Sequence, residues 1–139
     1  MSKKLRIAAT LLYVVSVSLV AAGVVYLLSP TIMPYHEVFL GKTHQQLDPR
    51  VAELFLFMIK GARSIFLSVG VGLAILVWYS FSAGSKWAWW TVFVMGFGSL
   101  GPMLFITLSI GKHTPWWAVG TMLILMIASL AVSRHEAIH

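Results

Sequence analysis

Four long apolar runs, separated by short polar segments, dominate the hydropathy pattern of the chain. Crossing the hydrocarbon core of a bilayer as a helix takes about 20 apolar residues, and three of the runs reach that length directly. They predict transmembrane helices at residues 5–28, 87–110 and 116–133. Thr114 is expected to be the N-cap of the last helix and Pro115 its first residue, because both types favour those positions.

The second apolar run is longer than a bilayer requires. Asp48-Pro49 is typical of a helix start, and a helix from there to Ser82 would be about 50 Å long at 1.5 Å per residue. Aromatic residues on both sides of the turn at 82–86 indicate a membrane interface. Counting about 20 residues back from this turn predicts a span at 63–82, with residues 49–59 forming a helical extension outside the membrane core.

Composition supports this reading and excludes several others. The chain is 59% hydrophobic and 10% charged, whereas soluble domains carry about 25% charged residues. The absence of cysteine excludes disulfides, thiol catalysis and cysteine-ligated metals. We therefore predict an all-α fold comprising one domain over residues 1–139, a four-helix membrane bundle whose second helix extends beyond the bilayer.

The positive charges indicate orientation. The net charge is +6, and the lysines and arginines lie beside or between the apolar runs. Lys3, Lys4 and Arg6 form a dense cluster at the start of the first span, which predicts that both termini are cytoplasmic in a bacterial inner membrane. No basic patch alternates with exposed aromatic residues, so nucleic acid is not an expected partner.

Most of the chemically versatile side chains fall on the predicted non-cytoplasmic side. They are His36, Glu37, His44, Asp48, Glu53, Lys60, Arg63, Lys112 and His113. Three interpretations are open. The cluster could be an ordinary polar interface, in which Glu37 or Glu53 pairs with Lys60 or Arg63. It could be a metal site formed by His36, His44 and His113 with Glu37 or Asp48, although the spacing of these residues favours no metal.

The third interpretation is a site for a lipid or a quinone-like amphiphile. Lys60 and Arg63 would hold the polar head, and the tail would lie along a groove of small residues. The candidate binding residues are then Lys60, Arg63, His36, Glu37 and His113. No other cofactor is required by the sequence.

Small residues and a proline indicate how the helices associate. Ser64, Ser68 and Gly72 recur every fourth position of the second span, a row that allows close approach of another helix. The row predicts a homo-oligomer or a partner in a membrane complex. Pro102 is expected to kink the third span, which could open a cavity between the second and third spans.

The final five residues, His135-Glu136-Ala137-Ile138-His139, match the H-E-x-x-H zinc motif. A catalytic zinc needs a third protein ligand, and the predicted topology places no other histidine or acid on that side. We interpret the segment as a solvated polar tail.

The chain resembles small four-helix bacterial membrane proteins of the DoxX-like type. The resemblance is in overall layout and rests on Leu27-Leu28-Ser29-Pro30, Met33-Pro34-Tyr35-His36 and the glycine-containing segment 68–73. It implies an association with membrane oxidoreductase assemblies and with quinone, as an accessory subunit. It implies no catalytic residue.

These observations favour a non-catalytic membrane subunit or binding protein that holds a lipid or quinone-like amphiphile. One alternative is a membrane enzyme acting on a lipophilic substrate, with His36 and Glu37 as acid–base candidates. Another is an oligomeric exporter of small molecules. The predicted spans carry no ionisable residue near the midplane, which disfavours an ion-coupled carrier acting alone.

Overall fold

The computed structural model describes residues 1–138, with side chains as far as Glu136, and this part of the chain is helical and contains no strand. Five α-helices follow one another, with a 3₁₀ turn at His44–Gln46 and a wider π-type turn at Val77–Phe81. The helices are α1 (Lys3–Leu28), α2 (Pro34–Leu40), α3 (Pro49–Leu76), α4 (Lys86–Ile110) and α5 (Trp116–Ile138).

Four of these helices are long and apolar enough to cross a membrane, as the sequence predicted. The second is the longest, because α3 and the π-type turn together run from Pro49 to Phe81, a length of 33 residues. Asp48 caps its start by accepting a hydrogen bond from the Arg50 backbone N–H at 2.9 Å. The predicted over-long second helix is confirmed as one continuous element.

The start of α5 agrees with the prediction, but the role of Thr114 does not. The helix begins at Trp116, and the Thr114 hydroxyl does not cap it. That hydroxyl instead donates to the carbonyl oxygens of Thr107 and Gly111, at 2.7 and 2.8 Å. The buried threonine just beyond α4 thus bonds to the end of that helix, where the Thr107 carbonyl also accepts the Gly111 backbone N–H at 3.2 Å.

The bundle is built around α1, which packs against α3 on one side and α5 on the other. Helix α4 packs on α5 and barely touches α3. Three sides of the bundle are therefore closed by packing between neighbouring helices. The fourth side, between α3 and α4, is open. Pro102 lies inside α4, which continues past it to Ile110.

Glycine and serine bring α1 and α3 into close contact. The Ser16 hydroxyl donates to the Gly70 carbonyl at 2.6 Å. A Cβ at Gly70 would lie 2.8 Å from Val20 Cγ2, and one at Gly23 would lie 2.7 Å from Leu67 Cγ. The close contact within the chain thus uses Gly70 and Gly23, whereas the predicted row of Ser64, Ser68 and Gly72 plays no part in it.

The N-terminus and the end of α5 meet at one end of the bundle, called here the terminal end. The Ser2 hydroxyl donates to the Glu136 carboxylate and accepts the Leu5 backbone N–H at 3.1 Å. The turn before α4 lies beside them, since a Cβ at Gly84 would be 3.6 Å from the Glu136 carbonyl. Helix α2 lies at the opposite end, called the α2 end.

Candidate ligand-binding site

Helix α2 forms because Pro34 occupies its first turn and Gly41 ends it in the left-handed conformation, at φ 63°. It carries Tyr35 and His36, which are both partly buried. Their rings are in edge contact, with centroids 4.4 Å apart. The segment after the first span is therefore an ordered cap on the α2 end.

The His36 ring is held in one tautomer. Its Nδ1 accepts a hydrogen bond from the Met33 backbone N–H at 3.3 Å, so in the neutral ring the proton is on Nε2. Burial lowers the pKa of His36 below its ordinary value of 6.5, which keeps the ring neutral at pH 7. His36 therefore offers a neutral N–H donor.

A pair of tyrosine hydroxyls ties α2 to the bundle. Tyr26 near the end of α1 and Tyr35 on α2 are hydrogen-bonded through their hydroxyl groups. Burial raises the pKa of Tyr35, and the bond to Tyr26 raises it further. The Tyr26 ring also packs edge-on against Phe66 of α3, with centroids 5.5 Å apart. This pair sets the position of α2 over α1 and α3.

Glu37 faces a different part of the structure from His36. Its carboxylate accepts a hydrogen bond from the His44 backbone N–H at 2.9 Å, which closes the loop between α2 and the 3₁₀ turn. The Nδ1 atom of His44 is buried and makes no hydrogen bond within the described residues. The two acid–base candidates, His36 and Glu37, thus have separate hydrogen-bond partners.

An apolar cavity of about 290 Å³ lies beneath α2, on the open side of the bundle. We call it the α3–α4 cavity. Its lining residues are Tyr26, His36, Phe39, Leu40, Phe55, Met58, Ile59, Ala62, Ile106 and Ile110. Among these side chains, only those of Tyr26 and His36 carry nitrogen or oxygen atoms. A ligand here would therefore be mostly apolar, with one or two hydrogen-bonding groups.

A second cavity of about 440 Å³ lies on the other side of Tyr26, between α1, α4 and α5. It is lined by Met33, Tyr35 and mostly apolar residues of the three helices, with Ser18, Thr107 and Thr121 as further polar side chains. Because Tyr26 lines both cavities, the tyrosine pair stands between them.

The predicted cationic residues do not line the α3–α4 cavity. Lys60 is exposed, with its Nζ 5.5 Å from the Phe57 ring centroid. Arg63 is partly buried and does not line the cavity, and His113 is exposed in the turn before α5. Of the five predicted binding residues, His36 alone is on the cavity wall.

Sequence reasoning missed the aromatic part of this site. The Tyr35 and Phe55 rings lie beside His36, with centroids 4.4 and 6.5 Å from that of His36, and Tyr26 is hydrogen-bonded to Tyr35. Pro34 at the start of a short apolar segment was the available signal for α2. Nothing in the one-dimensional pattern indicates that Tyr26 and Tyr35 meet.

The predicted metal ligands do not form a cluster among the described residues. Among the residues that the structure describes, no three histidine, aspartate or glutamate side chains are grouped to hold a metal ion. The second histidine of the H-E-x-x-H motif, His139, lies outside the described residues. The glutamate of that motif, Glu136, is hydrogen-bonded to Ser2.

No family model, no curated protein and no solved structure matches the chain. The resemblance to DoxX-like proteins therefore stays an expectation from the sequence.

Proposed function

We propose that the protein is a non-catalytic membrane subunit or binding protein that holds a quinone-like or other uncharged lipophilic molecule in the α3–α4 cavity. The observation that carries the proposal is the combination of an apolar cavity with His36, a neutral donor fixed in one tautomer. A carbonyl group on the ligand would accept the Nε2–H of His36.

The charge distribution favours an uncharged head over a phosphate. Lys60 and Arg63, which the sequence suggested for an anionic head, do not line the cavity. An unpaired anion in an apolar cavity carries a large desolvation penalty, whereas a carbonyl needs only one hydrogen bond. The apolar remainder of the ligand would contact Phe55, Ile59 and Ile106.

The first experiment narrows the cavity from its open side. Ile106 lines the cavity and Leu108 does not, yet both lie on α4 and are similarly exposed, at 54% and 55%. Ile106→Trp should weaken binding of a short-chain benzoquinone to the purified protein, measured by isothermal titration calorimetry in detergent. Leu108→Trp is the matched control and should bind like the wild type. Equal affinities of the two variants would refute the site.

The second experiment removes the donor. His36→Leu replaces the imidazole with an apolar side chain of similar size and should weaken benzoquinone binding about fivefold, because one hydrogen bond contributes about 1 kcal/mol. Enzymatic conversion of the quinone or of a lipid that requires His36 and Glu37 would favour the enzyme alternative. Flux of a small molecule into protein-containing liposomes would favour the exporter alternative.

A partner chain is part of the same proposal. Ser64 and Ser68 are exposed on α3, and a Cβ at Gly72 would meet nothing within 4 Å. This face is available to a second membrane helix of the same or another chain. Gly72→Leu should then reduce the oligomer or complex observed by native mass spectrometry, and an unchanged mass would contradict this interface.

The proposed location is a bacterial inner membrane with both termini cytoplasmic. The dense cluster of Lys3, Lys4 and Arg6 in the first turn of α1 supports it. Labelling of single cysteines introduced at Ser85 and Lys112 with a membrane-impermeant maleimide tests it in whole cells. Labelling at position 112 and not at position 85 is expected, and the reverse would overturn the orientation.

A further inference from the structure

An aromatic groove of about 390 Å³ lies between α4 and α5 near the terminal end. Its floor and walls include Trp90, Phe93 and Phe97 from α4 and Ile127 from α5. Phe93 is in ring contact with the other two aromatic residues, with centroid distances of 5.7 and 4.8 Å. Trp90 and Phe97 are seven residues apart, so the groove extends about 10 Å along the helix.

The groove has a rigid frame. The Trp89 indole N–H donates to the buried carbonyl of Leu130 at 3.0 Å, which fixes α4 against α5. The Trp89 ring is stacked on Phe93, with an interplanar angle of 7°. The aromatic surface is therefore pre-formed, and a bound chain would not have to order it.

A basic recess of about 520 Å³ adjoins the groove at the terminal end. Lys4 and Arg134 line the recess, and both Ala131 and Arg134 line the groove as well. Glu136, the nearby acid in sequence, is hydrogen-bonded to Ser2. The composite surface is thus apolar along its length and cationic at its end.

We propose that this composite surface binds one anionic phospholipid, with the phosphate between Lys4 and Arg134 and one acyl chain along Trp90, Phe93 and Phe97. The charge pattern selects this occupant, because a cationic recess next to an apolar groove complements an anionic head joined to a hydrocarbon chain. The site is at the opposite end of the bundle from the α3–α4 cavity and is independent of what that cavity holds.

Native mass spectrometry tests the headgroup contact. The purified full chain is equilibrated in micelles containing equal amounts of phosphatidylglycerol and phosphatidylcholine with identical chains, and the retained lipid adducts are compared. The wild type should retain phosphatidylglycerol preferentially. The double variant Lys4→Gln with Arg134→Gln should lose that preference, by about fivefold for each cation removed. The control Lys42→Gln with Lys112→Gln removes the same charge at the α2 end and should keep it.

A second pair of variants tests the acyl chain contact. Ala131 borders both the groove and the recess, so Ala131→Trp should reduce adducts of both lipids severalfold. Ile124, which is 67% exposed on α5, lines neither, and Ile124→Trp should retain lipid like the wild type. The proposal is overturned if the Lys4/Arg134 variant keeps the phosphatidylglycerol preference, or if Ala131→Trp binds lipid as well as Ile124→Trp does.

Discussion

Gly96 provides a sharp test of the packing between α4 and α5. The residue is buried, and a Cβ added there would overlap the Met126 sulfur and lie 2.5 Å from Met126 Cε. Carbon atoms at favourable contact are about 3.5–4.0 Å apart, so the Met126 side chain has to leave its position. Met126 is only 1% exposed, and the neighbouring cavity of about 10 Å³ cannot receive it.

The expected cost follows from these distances. Overpacking a filled core costs about 1–3 kcal/mol. The higher helix propensity of alanine relative to glycine offsets at most about 1 kcal/mol of this cost. Gly96→Ala should therefore lower the free energy of unfolding by about 1–2 kcal/mol. The measurement is reversible unfolding in mixed micelles of increasing SDS mole fraction, followed by circular dichroism.

Gly98 on the same helix is the matched control. It is exposed, and a Cβ there would meet nothing within 4 Å, so Gly98→Ala should be neutral or slightly stabilising. In a Met126→Ala background the obstructing atoms are gone, and Gly96→Ala should cost less than in the wild type. The packing argument fails if Gly96→Ala and Gly98→Ala are equally stable, or if the cost is unchanged in the Met126→Ala background.

Two further predictions concern the cap formed by α2. Tyr35→Phe leaves the Tyr26 hydroxyl without its tyrosine partner and should speed amide hydrogen exchange in Pro34–Leu40 by about five- to tenfold. Removing both hydroxyls should lower the stability of the cap by less than the sum of the two single changes. An additive effect in the double variant would contradict a direct bond. Because burial lowers the pKa of His36 in the folded protein, the unfolded chain binds more protons below pH 6.5, so stability should decrease as the pH falls from 6.5 towards the folded pKa. His36→Gln should flatten this part of a stability profile measured between pH 7 and 5, and an unchanged slope would assign it to another group.

The long helices could be predicted because apolar length is a local property of the sequence. Asp48 and Pro49 favour a helix start because a helical run follows them, and both act as predicted. Thr114 was predicted to cap α5, but a hydroxyl between two helices can bond to the end of the first or the start of the second. Which of the two it bonds to depends on how tightly the turn after α4 folds back. That information is absent from residue types alone.

The candidate site was harder to predict because it depends on pairs of distant residues. His36 was identified from its chemistry, but its tautomer depends on the Met33 backbone and its surroundings depend on Tyr26 and Phe55. The spacing of small residues predicted a helix-contact row at Ser64, Ser68 and Gly72, whereas the contact between α1 and α3 uses Gly70. Spacing alone does not reveal which face of a uniformly apolar helix meets its neighbour.

The open side between α3 and α4 determines which concentration governs occupancy of the cavity beneath α2. In the proposed topology this gap runs from the membrane surface, at the level of Phe55 and Met58, towards the acyl chains, so a lipophilic molecule would enter by lateral diffusion from the bilayer. Occupancy would then follow the mole fraction of ligand in the membrane, and the apparent Kd per litre of sample would rise in proportion to added lipid. Titrations at several lipid-to-protein ratios should superimpose when plotted against mole fraction, and diverge when plotted against total concentration.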